Sequence, residues 1–191
     1  LQGQYSLGNT LFSAGVRREK VEYDYKAIGT RLKDDHKLNA WDLGINHQYN
    51  EQLSVFANIS YGFQAPDIDR FFAFLPPSYN PVFNGFMKPA KNKTLNIGLN
   101  HVTESNQLKV TTFYSRLRNE IFYFVAPGGT WDPNSKNTNL DKSHKYGLEI
   151  QDRYQFNDQL AGRINYAWTV AKIDREDEGN GKYNGKKLPG V

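Results

Sequence analysis

Cysteine is missing from the chain, and so are long apolar runs. Without cysteine there can be no disulfide and no thiolate-ligated metal site. The mean hydropathy is -0.71, and no stretch approaches the roughly 18 consecutive apolar residues that a membrane-spanning helix requires. Strands that cross a membrane are not excluded by this, because each strand gives only an alternating signal of about ten residues.

Charge blocks and catalytic motifs are also lacking. The formal charge of +4 is scattered, so the sequence does not indicate nucleic-acid binding. The densest charge cluster, residues 174–178, mixes both signs and is expected to be a solvated loop. No serine lies in a nucleophile elbow, and no paired carboxylates suggest acid–base chemistry. We therefore predict that the protein is not an enzyme and has no cofactor.

The four histidines show no metal-binding spacing. His47 and His101 fall on apolar strand faces near tight turns, where an interfacial position is expected. His36 follows two aspartates and is expected in a solvated loop. Because no His-x-x-x-His pair occurs, no structural metal site is predicted.

Aromatic residues make up 14% of the chain, and a short polar turn before Gln-Leu occurs three times. The glutamines of these turns, Gln52, Gln107 and Gln159, are 55 and then 52 residues apart. Longer, irregular, polar and aromatic connections lie between the turns. Tight turns at one end and long loops at the other are typical of an outer-membrane β-barrel. The turns near Glu51, Ser105 and Asp158 are therefore predicted to lie on one side.

Alternating apolar and polar residues predict strands on both sides of each turn. Seven strands are predicted, at residues 10–23, 41–49, 53–64, 93–102, 108–124, 146–156 and 158–170. Several are about twice as long as the roughly 5–6 residues usual in soluble proteins. Aromatic residues flank their aliphatic centres, which is the two-girdle pattern of membrane barrels.

Seven strands cannot form a closed barrel of the bacterial type, because such barrels have even strand numbers and no open edge in lipid. The last residues, 187–191, also have a loop-like sequence. We therefore expect an all-β, antiparallel, up-and-down transmembrane β-barrel of which residues 1–191 form an incomplete arc of about seven strands. A charge at Ile59 or Ile164, interpreted as mid-strand positions facing lipid, is expected to cost about 2–4 kcal/mol.

Five stretches resemble, in order, segments of the TonB-dependent outer-membrane receptor family. Residues 61–72 (YGFQAPDIDRFF) are similar to the family's GFRAP segment, and residues 88–99 (KPAKNKTLNIGL) to its entry into the next strand. Residues 113–121 (FYSRLRNEI), 139–149 and 171–189 resemble three later segments. The first 60 residues match by pattern rather than by motif.

The resemblance implies a barrel of about 22 strands with a plug in its lumen. It implies energy-dependent import of a scarce solute across the outer membrane of a Gram-negative bacterium, with a ferric siderophore or other metal chelate as the expected ligand. It also implies contact with outer-membrane lipid and lipopolysaccharide, and with the TonB energy-coupling complex through the plug. Residues 1–191 are expected to be barrel only, with the plug and the closing strands absent from this chain.

The sequence departs from the family motifs at Gln64, where Arg is usual, and at Ala90, where Glu is usual. These departures weaken any transfer of ligand identity. Heme receptors often add a histidine to the first motif, and the loop here has none. Heme is therefore the less favoured ligand.

The loop at residues 64–87 is the predicted ligand contact, because it is long, aromatic and restricted by four prolines. Aromatic faces with one cation suit a large, partly apolar, anionic chelate. Trp131, in the next long loop, would complete the same vestibule. The predicted ligand-binding residues are Arg70, Phe71, Phe72, Tyr79, Phe83, Phe86 and Trp131. The alternative is that these rings pack on one another or on the barrel rim.

The polar face of the last two strands is predicted to line the lumen and meet plug or ligand. It carries Glu149, Gln151, Arg153, Arg163 and Asn165, although a hydrated wall would look the same. Two other functions stay open: a passive porin-like or autotransporter barrel, and a soluble β-rich binding module. A plug region encoded upstream would favour the receptor, and independence of detergent would favour the soluble module.

Overall fold

The computed structural model describes residues 1–27, 30–74 and 80–188 and is almost entirely β-structure. The strands are β1 (Gln2–Leu7), β2 (Thr10–Ala27), β3 (Thr30–Gln48), β4 (Leu53–Gln64), β5 (Phe72–Phe74), β6 (Pro81–Phe83), β7 (Ala90–Val102), β8 (Asn106–Phe124), β9 (Lys136–Asn157) and β10 (Leu160–Arg175). A short 3-10 helix, Ile68–Phe71, precedes β5. No helix among the described residues is long and apolar enough to span a membrane.

Eight of these strands form one antiparallel sheet in the order β1-β2-β3-β4-β7-β8-β9-β10. Each strand pairs with its neighbour along the chain, and the small β5–β6 hairpin lies within the connection between β4 and β7. The predicted all-β, antiparallel, up-and-down arc is confirmed, with β1 as an additional strand. Two predicted loops are wrong in part. Residues 34–36 lie inside β3, and β10 continues to Arg175.

The three tight turns lie on one side, as predicted. Hydrogen bonds join each turn region to the next, from Val102 N to Gln52 O at 2.8 Å and from Gln155 N to Ser105 O at 2.7 Å. The asparagine at the start of the first and of the third turn has a structural role. The side-chain oxygens of Asn50 and Asn157 each accept two backbone N–H groups across their turns. These side chains replace backbone partners that a two-residue turn would supply.

The register carries one apolar row from strand to strand on the outward face. Directly opposed residues of an antiparallel pair share a face, and they form the row Ile45, Ala57, Ile97, Thr112, Leu148 and Trp168. The hydroxyl of Thr112 donates to the Gly147 carbonyl oxygen at 3.1 Å, so the polar group in this row is satisfied internally. The row is largely exposed, with Ile97 at 50%.

Two phenylalanines interrupt the polar inward face, and each lies over a glycine. Phe56 is opposite Gly98, and Phe113 is opposite Gly147. A Cβ at Gly98 would lie 2.5 Å from the Phe56 ring, and one at Gly147 would lie 2.8 Å from the Phe113 ring. The rings therefore cover glycine backbone, which explains why Phe56 breaks the polar pattern of its strand.

Ile164 is not a mid-strand position. It is opposite Asp152 and shares a row with Leu108, His101 and Leu53, next to the tight turns. Ile97 lies two rows further from the turns. The depth at which a charge is costly is therefore set by the register.

We predict opposite outcomes for two isoleucines in the full-length barrel reconstituted in lipid. Ile97→Arg should lower the free energy of unfolding by about 2–4 kcal/mol. Ile164→Arg should lower it by only about 0–1 kcal/mol, because the penalty for arginine falls toward the bilayer surface. Denaturant titrations in lipid vesicles measure both. Equal costs for the two variants would show that this face does not meet a bilayer as described.

Candidate functional site

The β2–β3 hairpin extends well beyond its neighbours at the end opposite the tight turns. Pairing between β3 and β4 stops at Trp41 and Tyr61, whereas β2 and β3 remain paired up to Ala27 and Thr30. The apolar side of the hairpin changes along its length. From Trp41 toward the tight turns, the apolar residues of β3 face outward. In the protruding part, Leu32 and Leu38 lie on the inward face instead. The protruding part therefore has a polar outward face suited to solvent and an apolar inward face suited to packing against another segment.

Phe71, Phe72 and Met87, in the connection between β4 and β7, cover that inward face. The 3-10 helix brings Phe71 and Phe72 onto the hairpin, where they are 1% and 7% exposed. Phe71 meets the Tyr23 ring edge-on at 4.9 Å, and Phe72 meets the Tyr25 ring at 4.7 Å. Met87 closes this buried cluster from the far end of the loop. These four aromatic rings and Met87 are called the anchor cluster below.

A hydrogen bond fixes the start of the loop to the same hairpin. The Tyr23 hydroxyl donates to the Pro66 carbonyl oxygen at 2.6 Å. Burial, followed by the nearby carboxylates of Asp34 and Asp67, raises the pKa of the Tyr23 phenol above its ordinary value of 10.0. The phenol is therefore a stable donor throughout the physiological range.

The end of the loop is held from the other side by β9. The Asn139 side chain accepts from Lys88 N and donates to Lys88 O, both at 2.9 Å, in the manner of a paired strand. It also donates to Asn119 O at 2.8 Å. Asn119 has a φ of 55°, a left-handed conformation that asparagine tolerates better than most residues. The start of the loop is therefore held by the hairpin and its end by β9.

The next connection, residues 125–135, is closed by its own side chains. Buried Ser135 accepts from Ala126 N at 2.9 Å and donates to Gly129 O at 2.7 Å. Asp132 accepts from the backbone N–H groups of Asn134 and Gly128, and these bonds lower the pKa of its carboxyl group. Trp131 lies in this turn and is largely exposed.

The predicted ligand-binding residues divide into two groups. Phe71 and Phe72 are buried in the anchor cluster, so their rings offer no surface to a ligand in this conformation. Arg70, Phe83, Phe86 and Trp131 are exposed at the long-loop end. Tyr79 lies outside the described residues. Ligand contact stays a prediction, carried by the exposed group.

Three members of the exposed group, Arg70, Phe83 and Phe86, lie in the connection between β4 and β7. The rings of Phe83 and Phe86 meet at 5.0 Å, and Phe86 also contacts buried Phe71 at 5.3 Å. Arg70 Nη1 is 3.4 Å from Asn137 Oδ1. The anchor cluster therefore positions an aromatic and cationic surface without being part of it.

A family model described as a TonB dependent receptor-like beta-barrel matches residues 1–191. The chain belongs to the TonB-dependent receptor family. It is 29% identical over 211 residues to "TonB-dependent heme receptor A" of Haemophilus influenzae, a match that covers 91% of this chain and 27% of that protein. It is 24% identical over 179 residues to "Vitamin B12 transporter BtuB" of Photobacterium profundum, covering 92% and 25%.

Two solved structures share the fold at lower identity. "Copper transporter OprC" superposes with a TM-score of 0.75 at 15% identity and covers 98% of this chain and 29% of its own. The ferric yersiniabactin uptake receptor FyuA of Yersinia pestis gives 0.62 at 16% identity, with 97% and 27% covered. The TonB-dependent receptor chain described here thus spans about a quarter of the length of these relatives.

In this TonB-dependent receptor chain the inward polar wall is cationic near the tight turns. Arg153 and Arg163 are directly opposed, as are Gln151 and Asn165. All four line one groove together with Lys109, whose ammonium lies 5.5 Å from the Phe56 ring centroid. Contact with plug or ligand at this wall stays a prediction.

Histidine and carboxylate pairs occur without forming a metal-binding group. His144 Nδ1 is 2.7 Å from Asp174 Oδ1, and His36 Nε2 is 3.2 Å from Asp34 Oδ2. Within residues 1–27, 30–74 and 80–188, no three such side chains converge as they would around a metal ion.

Sequence reasoning missed Tyr23, Tyr25 and Asn139, which hold the loop. The available signal was the alternation of Val21, Tyr23 and Tyr25 with charged residues. That alternation identifies a strand but gives no indication that its apolar face points inward.

We predict that two variants loosen the loop to different degrees. Phe71→Ala should weaken docking of residues 65–72 by about 3–5 kcal/mol because a fully buried ring is removed. Tyr23→Phe should cost about 1 kcal/mol, the usual net value of one hydrogen bond. Hydrogen exchange of these amides in the full-length receptor measures both. Phe156→Ala, at an exposed ring of the tight-turn end, is the control and should leave exchange unchanged.

The same measurement has an expected pH dependence. Because the folded-state pKa of Tyr23 is raised above 10.0, its contribution is complete below that pH and is lost as pH rises through the folded-state value. Above the folded-state pKa, hydrogen exchange of the loop amides should accelerate more in the wild type than in Tyr23→Phe.

The docking described here would be contradicted by loop amides of Phe71→Ala that exchange at the wild-type rate.

Proposed function

We propose that the protein containing this chain is a receptor in the outer membrane of a Gram-negative bacterium that imports a scarce solute. The observation that carries the proposal is the docked loop at the long-loop end of the barrel. It holds Arg70, Phe83 and Phe86 at the surface, on a support fixed by the hairpin and by β9. A passive pore has no need of such a prearranged recognition surface.

The ligand class that fits this surface is a metal chelate, with a ferric siderophore as the first expectation. Aromatic rings supply apolar contact area, and the Arg70 guanidinium supplies charge-assisted hydrogen bonds to an anionic ligand. Heme is itself an iron chelate, and two relatives from Haemophilus influenzae are named heme receptors. The absence of histidine from residues 65–89 is the reason to expect heme less.

Import against a gradient requires energy, and the proposal assigns its supply to the TonB complex acting through a plug elsewhere in the protein. Outer-membrane lipid, including lipopolysaccharide, would surround the outward face. Relatives are named as receptors and transporters, which agrees with the prediction that the protein is not an enzyme. Family membership argues against the soluble module and the autotransporter.

The test is equilibrium binding of hemin, a ferric siderophore and cobalamin to the purified full-length receptor. We expect the triple variant Arg70→Ala/Phe83→Ala/Trp131→Ala to have an affinity for its ligand about tenfold or more below that of the wild type. Aromatic and arginine side chains contribute most of the binding energy at recognition surfaces. Phe71 and Phe72 are left intact, because removing them would detach the loop as well as alter the surface.

Tyr49→Ala/Phe156→Ala is the matched control, since both rings are exposed at the tight-turn end. It should bind like the wild type. Unchanged affinity in the triple variant would refute the assignment of the site. Binding of hemin in preference to siderophores would show that the expectation against heme is wrong.

A further inference from the structure

An uncharged stripe runs along the inward face of β4 and β7. Where the two strands are paired, their inward residues form six directly opposed pairs, and none of these side chains is ionisable. The pairs, called the neutral stripe below, are Ser54 with Asn100, Phe56 with Gly98, Asn58 with Asn96, Ser60 with Thr94, Gly62 with Asn92 and Gln64 with Ala90. The stripe is about 33 Å long, enough for a tilted strand to cross an apolar band of about 25 Å.

Amide side chains of the stripe are paired with other polar groups within it. Asn96 Nδ2 donates to Asn58 Oδ1 at 2.7 Å, and Asn100 Nδ2 donates to Ser54 Oγ at 3.2 Å. Each carboxamide has two donor hydrogens and an oxygen that can accept twice, so hydrogen-bonding capacity remains for water or for a solute. Contacts between neutral groups gain little over the contacts with water that they replace. A solute can therefore touch the stripe without being held there.

The inward faces on both sides of the stripe are charged. Their ionisable residues include Arg17 and Asp42 on β2 and β3, and Lys109, Lys145, Glu149, Arg153 and Arg163 on β8, β9 and β10. Among the described residues, no carboxylate forms an ion pair with Lys109, Arg153 or Arg163. Charge-assisted hydrogen bonds are about twice as strong as neutral ones, so this cationic wall would retain an anionic solute in transit.

The neutral stripe starts at the loop that carries the candidate recognition surface. β4 ends at Gln64 and β7 begins at Ala90, and the connection between them presents Arg70, Phe83 and Phe86. Both ends of that connection therefore continue into the stripe. A permeating solute must bind well enough to enter and weakly enough to leave. Recognition at the loop followed by weak, neutral contacts along the stripe meets both requirements.

We propose that an anionic chelate released from the loop surface crosses the barrel along the neutral stripe, and that the cationic wall of β8, β9 and β10 is not its path. The inference rests on the proposed function, because it requires that the protein imports a solute. It adds the side of the lumen that the solute takes and the contacts that it makes there. Oxygen atoms of the chelate exchange hydrogen bonds with the amides of Asn58, Asn96 and Asn100 as it moves.

The experiment compares uptake with binding in cells that express the full-length receptor. The probes are radiolabelled hemin and a radiolabelled ferric siderophore with a net negative charge. Asn96→Asp puts one carboxylate on the stripe with almost no change in side-chain shape, and we expect uptake to slow about fivefold or more through like-charge repulsion. The double variant Asn58→Asp/Asn96→Asp should be slower still. Binding at the cell surface should keep the wild-type affinity, because neither residue lies in the loop.

Thr169→Asp is the matched control, because Thr169 lies in the same inward row as Asn96. The row runs from Asn96 through Phe113 and Gly147 to Thr169, so the two positions have the same depth in the barrel and are about 14 Å apart at the usual strand spacing. The control should import the probes at the wild-type rate. Asn96→Ser, a neutral polar substitution, should do the same, which would assign the slower uptake of Asn96→Asp to its charge.

Wild-type uptake in Asn96→Asp, or an equal loss in Thr169→Asp, would overturn the proposed path. A loss in Asn96→Ser as large as that in Asn96→Asp would do so too. These outcomes differ from failure of the proposed function. A wild-type receptor that binds neither probe would refute the proposed function and the path with it, whereas equal import by all variants would leave the receptor standing and remove only the path.

Discussion

The hydrogen-bond register of the eight-stranded sheet is the constraint on which the other features depend. Because side chains alternate with a period of two, a slip of one residue would exchange the two faces of a strand. The register aligns Ile45 with Trp168 across six strands in the outward apolar row. It also places Lys93 opposite Arg116, and Gly98 and Gly147 opposite Phe56 and Phe113. Packing and charge on this wall are therefore consequences of pairing.

Most of the sheet could be predicted from the sequence, because strands with one apolar and one polar face leave a period of two. Residues 53–64 are an exact case. The protruding hairpin was less accessible, since Leu32 and Leu38 are apolar on the inward face and the outward residues are charged. The outward-facing apolar residues of β3, which identify a barrel strand, end at Trp41. Strand β1 is only six residues long and showed no usable pattern.

The candidate site could be located from the sequence but not resolved into parts. Loop length, prolines and aromatic content identified residues 64–87 as the candidate site. Composition alone could not distinguish the buried rings from the exposed ones. What separates Phe71 from Phe83 is contact with Tyr23 and Tyr25, which are more than 40 residues earlier in the chain. Such long-range burial depends on tertiary packing. Family membership, by contrast, was predictable because several weak segments occur in order.

The two-ended attachment of the loop separates what holds it from what it displays. One end is fixed by the anchor cluster and the other by the Asn139 amide. Exposed side chains between them can therefore change without altering where the loop lies. A receptor built this way could acquire a new ligand through few substitutions, with the barrel wall and the loop's path retained.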